Sequence, residues 1–205
     1  MTLVIWTYDW VPDGPRGHVR DIRLRWAAEE AGLDHEIRTV THEEKGLPDW
    51  LARQPFAQVP ALEDGDVRLF ESGACLLHIA EKSETLLPAE PVARAETLSW
   101  LFAALSSVEM LTVPRWYMAL RAEETPLDSW HEGRLDRLEA AVAGRDWLAA
   151  GRFTAADILM ADVLRLPKKQ GHLDARPALS AYVERATARP AFRRAYEGQM
   201  ALYAD

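Results

Sequence analysis

The prolines Pro88 and Pro91 divide this chain into two textures, and that division constrains the fold more than any single motif. Ahead of it, strand-like and helix-like patterns alternate. Beyond it, apolar residues recur only at helical spacing. Residues 2–8 are β-branched and aromatic, as in a buried strand. Asp13-Gly14-Pro15 signals a turn, with Pro15 suited to the first turn of a helix. Val19, Ile22, Trp26 and Ala27 then recur at helical spacing up to Gly32, a C-cap residue. Residues 35–40 alternate as a second strand, 48–53 hold a short helical piece, and 59–62 and 67–70 make a hairpin around Asp64-Gly65. Residues 72–82 read as a helix. The order β-α-β, loop, β-β-α describes a small mixed sheet covered by helices.

In the second half, a long helix begins near Val92 with Leu98, Leu101, Phe102, Leu105 and Val108 turned inward. Pro114 is expected to kink or end it. Another helix runs from about Ser129 through Leu135, Leu138 and Val142. A third opens at Phe153-Thr154-Ala155-Ala156-Asp157, where Thr154 and Asp157 have capping-box spacing. Helices over 177–187 and 190–203 complete the chain. The boundaries implied are a first domain at 1–83, a linker at 84–92 and an all-helical domain at 93–205.

Composition narrows the function. The 205 residues carry a net charge of -8, which argues against a nucleic-acid or anionic-membrane surface. The one cysteine, Cys75, excludes an internal disulfide or a CxxC pair, and helical phase turns it inward as an inert thiol. Six scattered histidines lack ligand spacing, so no metal is expected. No apolar run approaches the ~18 residues of a membrane span. The N-terminus has no secretory pattern, so the expected location is cytoplasmic.

The most informative stretch is residues 54–81. A Val59-Pro60 step enters a strand, and Glu71-Ser72-Gly73 opens a helix. Unpaired N–H groups and the helix dipole favour negative charge at such a start. Together they suggest a site for a small, extended, carboxylate-bearing peptide.

These motifs and their order resemble the cytosolic glutathione transferase family along essentially the whole chain, as a bacterial member of unassigned class. Gln54-Pro55-Phe56-Ala57-Gln58-Val59-Pro60-Ala61-Leu62 looks like the family's loop and cis-proline strand. Glu71-Ser72-Gly73-Ala74 looks like its γ-glutamyl-binding turn. Asp157 matches its buried capping residue, and Arg189-Pro190-Ala191-Phe192 resembles its C-terminal signature. The resemblance implies an α/β thioredoxin-like N-terminal domain followed by an all-α C-terminal domain. It also implies a cytoplasmic homodimer that uses glutathione as co-substrate. Val59, beside cis Pro60, would pair its backbone with the cysteinyl residue. Ser72 would hold the γ-glutamyl carboxylate, Glu71 the ammonium and Gln58 the glycine end.

The group that ionises the thiol is less conventional. Related chains place Ser or Cys before the first helix, or Tyr at the end of the first strand. This chain has no Ser or Cys in residues 1–33, and a gapless count puts the Ser slot near His18. Tyr8 ranks first as donor to the thiolate, then the first N–H groups of the helix around Gly17 with Arg16 or Arg20, then His18. The resemblance places a small hydrophobic electrophile between the domains, near Trp10, Val11, Val108 and Trp116. Trp26, Trp100 and Trp147 fall in core patterns. The implied activity is conjugation; the alternatives are a glutathione-dependent peroxidase or lyase, or a non-catalytic binding or dimerisation module.

Overall fold

The computed structural model describes residues 2–121 and 126–204. Contacts divide them into two compact units, one comprising Met1–Leu86 with Arg189–Asp205 and the other Leu87–Ala188. In the first unit, β1 (Leu3–Tyr8), β2 (His35–Val40), β3 (Ala61–Asp64) and β4 (Val67–Phe70) form one sheet in the order β2-β1-β3-β4. β1 runs parallel to β2, with Leu3 opposite His35 and Tyr8 opposite Val40. It runs antiparallel to β3, with Ile5 opposite Leu62. Alternation along β1 buries Leu3, Ile5 and Thr7 on one face and leaves Val4, Trp6 and Tyr8 half-buried on the other.

Helix α1 (Asp21–Ala31) crosses from β1 to β2 and stops at Gly32, whose left-handed backbone (φ 64°) suits glycine. The short α2 (Pro48–Leu51) follows β2, and α3 (Ser72–Ala80) follows β4. Ile22, Leu24, Trp26, Cys75, Leu76 and Ile79 from α1 and α3 are fully buried.

The helical unit contains α4 (Pro91–Ala103), α5 (Met110–Ala119), α6 (Leu127–Val142), α7 (Ala155–Lys169) and α8 (Pro177–Thr187). Its centre is α7, buried at every position from Ala155 to Leu164, Asp157 and Asp162 included. Thr154 and Asp157 make the capping box that their spacing predicted. Of the two outcomes expected at Pro114, a kink or an end, the end does not occur, because the helix continues through it. Ala104–Glu109 form a π segment joining α4 to α5, and Pro114 falls inside α5. The wider i→i+5 bonding just ahead of it relieves the clash between the proline ring and the preceding turn. The run Pro91–Ala119 is, by length and composition alone, apolar enough to cross a membrane, which the sequence reading overlooked. Here its Leu101, Ala104, Val108 and Leu111 are buried, with α7 packed against α4 and the π segment.

Five apolar residues depart from their expected burial. Phe102 is exposed, and Leu98, Trp100, Leu105 and Trp147 are half-buried. Trp147 lies edge-on to Phe153, with the Arg185 guanidinium over its ring.

The last helix, α9 (Pro190–Leu202), returns to the first unit although its pattern matches the helical half. Phe192 packs edge-on against Trp26 with ring centres 4.8 Å apart, and Arg189 pairs with Glu30 through two bonds of 2.6 and 2.7 Å.

Candidate functional site

Val59-Pro60 is a cis peptide bond immediately before β3. Gln54, 2% exposed, shapes the loop ahead of it, its Oε1 accepting the Phe56 N–H at 2.7 Å. Val59 is buried in an apolar cluster with Val11, Val19, Val40, Trp50, Ala61 and Tyr203, against which Trp6 and Tyr8 pack. Gln58 is exposed.

At the other end of the hairpin, Glu71 takes a positive φ of 68° and stays exposed, while Ser72 begins α3 at 5% exposure. The buried Arg23 of α1, 2% exposed, donates from Nη1 to Ser72 Oγ at 2.9 Å. Since Oγ accepts that bond, the Ser72 hydroxyl proton is left to point elsewhere, as a donor suited to an anion. Sequence reasoning missed Arg23; a separation of 49 positions in sequence leaves no local signal. Cys75, one turn into α3, is inert. Burial pushes its thiol up to about 12.

The loop after β1 corrects one expectation. Helix α1 starts at Asp21, so Pro15, Gly17 and His18 are not in its first turn. The residues between fold as turns, in which Arg16 N–H donates to Asp13 O at 3.2 Å and His18 N–H to Pro15 O at 2.8 Å. Chain reversal at Asp13-Gly14-Pro15 thus continues further than a single turn. The Arg16 side chain bonds Val11 O at 3.3 Å and Asp13 at 3.1 Å. A helix-start anion site at Gly17 and His18 is therefore lost.

Tyr8 closes β1 half-buried, its ring stacked on His42 at 4.5 Å and 14°. The Lys45 ammonium lies 5.5 Å from the Tyr8 ring centre and 3.4 Å from His42 Nδ1. His42 Nε2 is 3.1 Å from Trp10 O. Neither His42 nor Lys45 was a candidate from the sequence. Of the proposed electrophile contacts, Trp10 is 49% exposed and Val11 is buried in the cluster around Val59. Val108 is buried and Trp116 half-buried in the helical unit.

Tertiary structure also gathers His131, Glu132 and His172, whose ligand atoms lie within 4.8 Å of one another. No ligand spacing along the chain joins them. Arg115 Nη1 lies 2.6 Å from His172 Nε2, and because a guanidinium can only donate, that nitrogen accepts. The His172 proton then sits on Nδ1, 2.9 Å from Glu132 Oε1, while Arg176 holds Oε2 at 2.8 Å. This donor set suits an ion-pair network better than a metal.

Residues 14–81 match the family described as glutathione S-transferase, N-terminal domain, and residues 129–190 match the glutathione S-transferase, C-terminal domain. The chain is similar to glutathione S-transferase 3 of Zea mays, 35% identical over 193 residues, covering 84% of this chain and 86% of that protein. It is also similar to the disulfide-bond oxidoreductase YfcG of Escherichia coli (strain K12), 37% identical over 97 residues and 43% of each chain. A solved glutathione transferase family member from Pseudomonas fluorescens pf-5, with two glutathione bound, superposes with a TM-score of 0.82. That match has 28% identity and covers 96% of this chain and 92% of the other.

Proposed function

This chain belongs to the cytosolic glutathione transferase family, and we propose that it conjugates the glutathione thiolate to a small hydrophobic electrophile. The observation that carries this reading is Ser72 at the head of α3, its hydroxyl oxygen bonded by buried Arg23. A hydroxyl so held, beside the N–H groups of a helix start, suits the γ-glutamyl carboxylate. Exposed Glu71 is the partner for the ammonium, the Val59 backbone for the cysteinyl residue and Gln58 for the glycine end.

Tyr8 is the first candidate to donate a hydrogen bond to the sulfur, ahead of Arg16 and His18. In the reaction, the thiol loses its proton and the thiolate attacks the electrophilic carbon. A C–S bond forms as the leaving group departs with its electron pair. Catalysis rests on proximity and on stabilisation of the thiolate. We assign the enzyme a detoxifying role as a cytoplasmic homodimer, with Trp10 and Val11 of the first unit at the electrophile.

The lack of Ser or Cys in residues 1–33 favours a second reading, a glutathione-binding module without turnover. Binding to immobilised glutathione, followed by conjugation assays on a series of aryl halides, separates the two. Binding with turnover supports the transferase. Binding without turnover supports the module, and failure to bind removes both.

A further inference from the structure

Beyond its first residue, Pro190, helix α9 lies outside both matched stretches, residues 14–81 and 129–190, yet it carries the side chains that hold the loop before α1. Gln199 is fully buried. Its Nε2 donates to Val19 O at 2.9 Å and to Asp21 Oδ1 at 2.7 Å. One amide thus ties the last turn of the loop to the first residue of α1. The opposite orientation would set Oε1 against two acceptors, so the amide has one stable placement. Asp21 is fixed from the other side by Arg25 Nε at 2.6 Å.

One turn earlier on α9, Tyr196 packs onto the same loop. Gly17 has a φ of 76°, and a Cβ there would lie 2.6 Å from Tyr196 Cε2. Only glycine meets both the backbone requirement and the close approach. Two residues of α9 therefore mould the backbone at Gly17 and Val19, between the candidate thiol-facing residues and α1. Ser72, by contrast, is bonded from α1 by Arg23.

We propose that Gln199 is a positioning residue for thiol activation. By clamping Val19 to Asp21 it sets where the loop of residues 10–20 presents its groups to the sulfur. The inference rests on the glutathione-conjugating reading, and it separates activation, which depends on α9, from carboxylate holding at Ser72.

The test compares Gln199→Leu with Arg189→Leu, which breaks the Glu30 pair at the far ends of the same two helices. Ultraviolet titration of bound glutathione reads the thiol pKa, and hydrogen exchange reads the amides of residues 16–20. Gln199→Leu should raise the bound thiol's pKa toward the ~8.5 of a free thiol. It should also lower kcat about tenfold or more through misplacement, and speed exchange at residues 16–20. Affinity measured well below the thiol pKa should change little. Arg189→Leu should lower the melting temperature and leave the thiol pKa in place.

An unchanged thiol pKa in Gln199→Leu overturns the proposal, as does an equal shift in Arg189→Leu. If Gln199→Leu does not fold, Tyr196→Leu makes the same comparison through Gly17. If the wild-type protein takes up no glutathione, the functional reading falls instead. Exchange then decides the positioning, and unchanged protection at residues 16–20 overturns it.

Discussion

Replacing Asp157 tests the construction of the helical unit, and its cost follows from the bonds the carboxylate accepts. Oδ1 accepts the Leu148 N–H at 3.0 Å and the Tyr182 hydroxyl at 2.9 Å. Oδ2 accepts the Thr154 N–H at 2.8 Å and the Thr154 hydroxyl at 3.2 Å. The hydroxyls can rotate to other roles, but the backbone N–H groups cannot. An asparagine offers one oxygen, so in either orientation its NH2 faces a buried N–H, at a cost of ~1–3 kcal/mol. Burial already raises the Asp157 pKa, so removing the charge returns part of that cost. Asp157→Asn should therefore lose ~1–2 kcal/mol and Asp157→Ala, which orphans both N–H groups, ~3–5 kcal/mol. Urea unfolding at neutral pH, followed by circular dichroism, measures both. If alanine costs no more than asparagine, or if both lie within ~0.5 kcal/mol of wild type, the hydrogen-bond argument is wrong.

Three further outcomes are expected. Arg23→Met should weaken glutathione binding about tenfold by releasing the Ser72 hydroxyl, and should affect an analogue lacking the γ-glutamyl carboxylate much less; equal losses for the two ligands, measured by calorimetry, would refute that role. Tyr8→Phe should move the pH profile of conjugation upward, and an unchanged profile would remove Tyr8 as the donor. Buried His131 has its pKa lowered to about 4 by burial first, then by the Arg115 guanidinium. The unfolded chain, near the ordinary 6.5, therefore binds the extra proton between those two values. Stability should be fully present above the unfolded value and fall as pH drops from there toward about 4. The loss is at most ~3 kcal/mol, read from unfolding midpoints across that range; a His131→Leu variant with the same pH slope as wild type would exclude His131 as the source.

Local chemistry made much of the fold legible. The β-branched and aromatic run of residues 2–8, the alternation in residues 35–40, Gly32 as a C-cap and the Thr154-Asp157 capping box each act within a few residues, and each forms the expected element. Legibility ended where distant segments decide. The start of α1 was misplaced because Pro15 suits either a turn or a helix, whereas contacts from α9 select the turn at Gly17. Periodicity placed Phe102 inward on a helix whose coil widens one residue beyond Ala103, and Phe102 is exposed. Within the candidate site, Val59-Pro60 and Ser72 were visible as motifs. Arg23 and Gln199 were not, since each matters only through a residue far away in sequence.

The return of α9 to the first unit has a consequence for the order of synthesis. The sheet and α1 emerge early from the ribosome, but the helix that buries Phe192 against Trp26 emerges after the whole of Leu87–Ala188. At ~5–20 residues per second, the early half waits several seconds with that face of α1 uncovered. The helical unit is contiguous and can close first. During translation the nascent chain therefore exposes an apolar strip on α1 until α9 arrives to cover it.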